Sequence, residues 1–266
     1  MEQLRIVRMR TRVSLVVALR DGYVSGPPVD RDIQVRLVGY PTKPIGKPDG
    51  TYIYTNLEPG TYVLEIESTY YFRETRTISV GSANKLVQLV LMPVSSYPFR
   101  PNETMLRAKI ESRTGGPMSG ALATASVMSE ESVKGRISEH DVPEGSDTIT
   151  VASLTGIIRP GDRLLLIGRG SGDLSEIVQI REVLDYQKRF RLEEGVGSAY
   201  LRGSLLYPVY VSRVSERGEL AIAFPNVRAK KLTASLRIGS DEEEPSAVRE
   251  VTVEEGVAVN LGTWIV

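Results

Sequence analysis

The chain has few side chains whose type and spacing could do chemistry. Of 266 residues one is histidine and none is cysteine. Thiol nucleophiles, disulfide scaffolds, cysteine-ligated zinc and multi-histidine metal sites are therefore excluded from the start. His140 lies between Glu139 and Asp141 in the polar run SEHDVPEG. A metal ligand or pH sensor would fit that flanking, but a solvated loop histidine is the plainer reading. Gly168–Gly172 (GRGSG) has the look of a phosphate loop, yet no Lys-Ser/Thr follows and the next segment reads as strand, so a hairpin turn is expected. The acids Asp241, Glu242, Glu243 and Glu244 lack the alternating DxDxDG spacing of a calcium loop and read as a solvated hairpin. No G-x-S-x-G elbow is present, and nothing specifies a carboxylate dyad. No cofactor and no enzymatic activity are expected.

The elements that would position any site are short and alternating. Arg12–Leu19, Ile33–Val38, Thr51–Tyr54, Thr61–Glu67, Thr75–Val80 and Lys85–Leu91 are β-branched or aromatic runs separated by SGPP, KPDG and EPG. Strands at intervals of about 8–12 residues argue for an antiparallel sandwich. The nearest approach to a helix is Ala121–Lys134, weakened by its serines, threonine and the preceding Gly120. Asp49-Gly50 calls for positive φ at the glycine, and Asn56-Leu57-Glu58-Pro59-Gly60 for a tight corner pinned by Leu57.

Taken together, D-G-x-Y-x-Y-x-N-L-x-P-G-T-Y-x-L-x-I over residues 49–66 resembles the carboxypeptidase regulatory-like (transthyretin- or prealbumin-like) domain, and the likeness spans about eighty residues. The resemblance implies a seven-stranded sandwich that serves as a non-catalytic module. Arg20-Asp21, Val35–Leu37, Asp49–Tyr52, Leu57–Tyr62 and Tyr70–Phe72 also look like the corresponding positions of accessory proteins of contractile injection systems and phage-tail-like particles. That likeness implies a cap, sheath-end or baseplate role by protein docking. The alternative is a surface or carbohydrate-binding array, with Tyr52, Tyr54, Tyr62, Tyr70 and Tyr71 as platform.

The pattern starts again after the proline-rich linker Pro93–Thr104, which carries Tyr97 and Phe99. Leu106–Ser112 reads as the first strand, Thr114–Gly120 parallels Tyr23–Pro28, and Ala121–Val127 parallels Ile33–Val38. The continuation returns only at Ser215–Val227, where Gly218 would stand in place of Gly50. Residues 129–208 carry their own turns, such as Pro160-Gly161-Asp162, and fit a small barrel or meander. The expected fold class is all-β, two transthyretin-like sandwiches with the second interrupted by a barrel insert. The expected domains are 1–94, a linker 95–104, a split second sandwich 105–128 with 209–266, and an insert 129–208. Tyr200-Leu-Arg-Gly-Ser204 resembles the Y-R-G-S of hydroxyisourate hydrolases, but that family needs two histidines, as do the intradiol dioxygenases on a related sandwich.

Lys+Arg and Asp+Glu balance at 33 each, so no global field attracts nucleic acid or an anionic membrane. Residues 1–20 nevertheless carry five Arg against one acid, and residues 240–256 seven acids against one Arg. Such opposite ends would favour head-to-tail self-association or a charged partner. The candidate interaction residues are thus Arg5, Arg8, Arg10, Arg12, Tyr52, Tyr54, Tyr97, Phe99, Asp241, Glu242, Glu243 and Glu244, with other protein subunits as partners. No signal peptide or run of roughly 20 apolar residues is present, so a cytoplasmic location, or release in an assembled particle, is expected.

Overall fold

The computed structural model describes residues 11–81, 85–170, 174–225, 230–239 and 247–266. The chain forms two compact units, Met1–Pro93 and Val94–Val266. In the first, β1 (Val13–Asp21), β2 (Gln34–Leu37), β3 (Ile45–Gly46), β4 (Thr51–Thr55), β5 (Gly60–Glu67), β6 (Glu74–Val80) and β7 (Lys85–Leu91) make two sheets, ordered β3-β4-β1-β7 and β2-β5-β6. Alternation sends Leu15, Val17 and Leu19 of β1 inward at 0–4% exposure, toward Val35, Leu37, Leu64 and Ile66. Each such fully buried aliphatic contributes about 1.5–3 kcal/mol.

The second unit opens with β8 (Met105–Glu111) and β9 (Leu122–Val127), then β10 (Gly135–Ile137), β11 (Thr148–Ala152), β12 (Arg163–Ile167), β13 (Ser175–Asp185), β14 (Arg189–Leu192) and β15 (Leu205–Arg213). It closes with β16 (Glu219–Ala223), β17 (Lys231–Gly239), β18 (Ala247–Glu254) and β19 (Ala258–Ile265). β10-β11-β14-β13-β12-β15 pair in sequence, and β15 pairs back to β10, closing a six-stranded barrel. Ile149, Leu166, Val178, Ile180, Phe190 and Leu206 fill it. The fold class read from the sequence holds: all-β, with a barrel interrupting the second sandwich. The helical candidate Ala121–Lys134 instead forms β9 and a 3-10 turn, Glu130–Ser132. Its small residues Ala121, Ala123 and Ala125 line the second core, where strand neighbours override helix propensity.

The second sandwich repeats six of the first sandwich's seven strands, all but β3. β4 and β7 flank β1, antiparallel and parallel; β16 and β19 flank β8 in the same senses. β2-β5-β6 is matched by β9-β17-β18. The Leu19 amide donates to the Gly50 carbonyl at 3.0 Å, and the Ile110 amide to the Gly218 carbonyl at 2.8 Å. Both glycines have positive φ, +82° and +81°, and both lie against a proline, Pro28 or Pro117. A Cβ on Gly50 would stand 2.8 Å from the Leu19 oxygen and from Pro28 Cδ. The Phe224-Pro225-Asn226-Val227 corner lies partly outside the described residues.

This close approach makes a prediction. Gly50→Ala adds a clash to left-handed strain and lowers the stability of the first sandwich by about 2–3 kcal/mol in urea unfolding. Gly39→Ala, with φ +74° but no atom within 4 Å of the new Cβ, costs about 1 kcal/mol. Equal losses at the two positions would refute the close-approach account.

Candidate interaction surface

The first sandwich spends its polar side chains on its own loops. Asp21, buried at the end of β1, accepts the amides of Tyr23 (2.6 Å) and Val24 (3.0 Å) on Oδ1. Its Oδ2 accepts the Tyr71 hydroxyl at 2.6 Å, and the Tyr71 oxygen accepts the Val29 amide at 3.0 Å. One carboxylate and one phenol thus join the start and the middle of the β1–β2 loop to the β5–β6 connection. Asp30 adds a second tie, accepting Ser68 Oγ at 2.5 Å and the Thr69 amide at 3.1 Å. Burial works against the charge on Asp30, but these bonds, from Ser68 first, hold its carboxyl below the usual range.

On the outer face of β2-β5-β6, Glu65 is 7% exposed at its side chain because two arginines cover it. Arg36 reaches Glu65 at 2.5 Å and Glu67 at 3.5 Å, while Arg73 pairs with Glu65 and, at 3.4 Å, with Glu67. Beside this network an open depression of about 630 Å³ is lined by residues 36–41 and Glu65. Val38 (56% exposed) and Val63 (37%) stand near it, with Tyr40 set edge-on to Tyr62. Its charges are already paired, so what it offers a partner is apolar surface with fixed polar walls.

The residues expected from sequence divide among several places. Arg5, Arg8, Arg10, Asp241, Glu242, Glu243 and Glu244 lie outside the described residues. Arg12 is exposed; its amide donates to Asn56 Oδ1 at 2.9 Å and its carbonyl accepts the Asn56 amide at 2.8 Å. Tyr54 is corrected from surface to core: it is 1% exposed and its hydroxyl donates to the Val35 carbonyl of the facing sheet at 3.1 Å. Burial pushes its pKa up to about 12. Tyr52 shares that inward face half-buried, its pKa raised by burial and then by Asp30, so the two rings form no open platform for a glycan. Tyr97 is likewise corrected, at 4% exposure. Its ring centroid lies 4.8 Å from that of half-buried Phe99. Arg107 of β8 is 6.0 Å from the Phe99 ring and donates to the Ser95 carbonyl at 3.1 Å, while Ser95 Oγ donates to Glu219 at 2.5 Å.

In the barrel, the residues singled out for chemistry serve packing and turns. Tyr200 is 1% exposed, its pKa raised by burial first and then by Glu176, and its backbone pairs with Val142. Ser204 Oγ donates to the Leu201 carbonyl at 2.7 Å, closing the turn at Gly203. His140 is exposed, next to Glu139, which pairs with Lys188 at 2.7 Å. Among the described residues no three His, Asp or Glu side chains group closely enough to hold a metal ion, and no helix is long and apolar enough to cross a membrane. Sequence reasoning missed Glu65, Arg36 and Arg73. The available signal was Leu64-Glu65-Ile66, a carboxylate in the middle of a strong strand whose outward side needs counter-charges.

No protein-family model matches the chain, and no curated protein matches it. Among solved structures, it is similar to the Bacillus anthracis TIE protein over 96% of this chain, at 11% identity and a TM-score of 0.27. The chain spans about half, 51%, of that protein's chain. It is also similar to two mutants of shaft pilin SpaA from Lactobacillus rhamnosus GG. The D295N form has 10% identity, covers 97% of each chain and has a TM-score of 0.23. The E269A/D295N form has 10% identity, covers 96% of each and has a TM-score of 0.24. These scores lie below those of a shared fold.

Two predictions follow from the polar contacts. Tyr71→Phe removes the hydroxyl that bonds both the Val29 amide and Asp21 Oδ2, lowering stability by about 1–3 kcal/mol. Tyr62→Phe, which loses only an exposed bond to the Glu58 carbonyl, costs below about 1 kcal/mol in the same chemical denaturation. A Tyr71→Phe protein as stable as the parent would show the knot to be incidental. Second, the hydrogen bond and charge of Lys188 hold the Glu139 carboxyl below its usual pKa. That pairing is present above the ordinary glutamate range and is lost as pH falls through the lowered value. Carboxyl NMR titration of Lys188→Ala should return Glu139 to the ordinary range; an unmoved midpoint would contradict the pairing.

Proposed function

We propose that this chain is a non-catalytic structural adaptor that docks neighbouring protein subunits, its first sandwich a carboxypeptidase regulatory-like module. The observation that carries the reading is how the motif residues are used. Asp21 and Tyr71 tie loops, Asp49-Gly50 closes the β3–β4 turn, Leu57 seats the corner on Ser14, and Tyr54 joins the sheets. Those groups are committed to shape, which leaves recognition to faces and edges: the depression beside Val38, and outer strands such as β7 and β18. Within this reading the assembly is a phage-tail-like or contractile injection particle, with the chain as a cap, sheath-end or baseplate accessory. It is made in the cytoplasm and leaves, if at all, in the assembled particle.

Co-expression with the products of neighbouring genes tests the proposal. Co-elution with a sheath, tube or baseplate component is expected, together with density for a tagged copy at one fixed place on particles. A chain that elutes alone with every neighbour overturns the adaptor reading. Turnover of a hydrolase substrate that one Asp or Glu substitution abolishes overturns the non-catalytic one.

A further inference from the structure

Tension along a chain reaches a folded body through the first and last strands of that body. In the first sandwich these are β1 and β7, parallel neighbours paired from Leu15 opposite Lys85 to Asp21 opposite Leu91. A pull applied ahead of Val13 and beyond Leu91 therefore acts at opposite ends of the ladder and slides the strands lengthwise. All seven residue pairs resist together, whereas strands drawn apart from one end separate pair by pair. Among the described residues β7 has one sheet neighbour, β1, so this ladder is what holds it in the sheet. The exit is tied down further. The Gly22 amide donates to the Leu91 carbonyl at 2.9 Å, and the Phe72 amide to the Met92 carbonyl at 2.9 Å. Tyr71, bonded to Asp21 through its hydroxyl, also bridges to Pro93 through its backbone.

The second sandwich has the same arrangement around its insert. β8 and β19 are parallel neighbours, from Met105 opposite Ala258 to Glu111 opposite Ile265, interrupted by a bulge between Asn260 and Thr263. Tension entering at Met105 crosses this ladder to β19 and leaves at Ile265. The barrel, inserted between β9 and β15, is off that path. Its own ends have the weaker geometry. Gly135, at the start of β10, lies opposite Leu206 of antiparallel β15, so a pull on the barrel's two connections would peel these strands apart from one end. The topology thus puts the ladders that resist sliding in the line of force and the pair that would peel outside it.

We infer that the chain is a tension-bearing link: two sandwiches joined in series, each resisting extension by the sliding of parallel terminal strands, with the barrel kept out of the line of force. This goes beyond the adaptor reading, because it concerns the force that passes through the chain and holds for any attachment ahead of β1 and after β19.

Single-molecule pulling on the full chain tests it. The sequence has no cysteine, so cysteine handles can be placed in chosen pairs at exposed positions. Arg12→Cys with Ser96→Cys slides the uninterrupted β1–β7 ladder; Arg12→Cys with Lys85→Cys pulls both strands from one end. At one pulling speed the first pair should need roughly twice the force of the second, or more. Its length gain should match residues 13–91 at about 3.3–3.6 Å per residue. Equal forces for the two handle pairs overturn the inference. With handles at Arg12→Cys and joined after Val266, no step with the length of residues 135–206 should precede the opening of a sandwich. Such an early step overturns the place given to the barrel. These forces are read on the isolated chain, so they can fail while co-elution with a neighbouring subunit succeeds, or hold while it fails.

Discussion

Each sandwich depends on one backbone contact that only glycine allows. At Gly50 the chain turns with φ +82° so that its carbonyl meets the Leu19 amide, with the Leu19 oxygen and Pro28 too near for a Cβ. This contact fixes where β4 lies along β1. A strand that slips by one residue exchanges its faces. With Ala18 opposite Thr51, Tyr54 points inward and Ile53 outward, so the same hydrogen bond places both the phenol that bridges the sheets and Ile53 on the sheet's outer face. Gly218 repeats the device at Ile110, with φ +81° and Pro117 in place of Pro28.

Beyond that shared closure, the halves stabilise the same topology by different means. In the first, β2 has one strand neighbour, β5, and the Tyr54 hydroxyl occupies the Val35 carbonyl. A capped carbonyl leaves the strand less able to pair with a foreign chain. In the second, Ile222 stands where Tyr54 does, and β9 is flanked on both sides by strands, β17 and β15. The buried knot changes in parallel. Ser112 takes the place of Asp21, and the Ser112 amide still bonds the Gly116 carbonyl as Asp21 bonds that of Gly26. A serine carries no charge to satisfy, so that loop does not require a counterpart of Tyr71.

Inward faces were legible in the sequence because alternation has a period of two and burial follows it: Leu15/Val17/Leu19 and Leu64/Ile66 are core by pattern alone. Gly50, Gly218 and the pairing of loops around Pro28 and Pro117 were legible because positive φ restricts residue choice so strongly. Outward faces were not. Tyr52 and Tyr54 were rightly placed on one face, but which sheet covered that face depends on β2, some twenty residues earlier in the chain. Glu65 is buried although it points outward, since Arg36 and Arg73 come from different strands and loops to cover it. Tyr97 looked like a linker aromatic because nothing local reveals that the segment beside it engages Arg107. The parallel pairings of β1 with β7 and β8 with β19 join distant residues, and no local signal carries them.

The barrel differs from a pendant insertion because of β15. Leu205 and Leu206 at its start pair with β10 and close the barrel, while Val209–Arg213 at its end pair with β9 inside the second sandwich. One nine-residue strand therefore belongs to both bodies, with no linker between them. The insertion replaces the connection that in the first sandwich runs from β2 to β4 through the short edge strand β3. A flexible tether there would let the barrel move independently. A shared strand instead couples any rotation of the barrel to the hydrogen bonds of β9 and β15. That coupling follows from register alone.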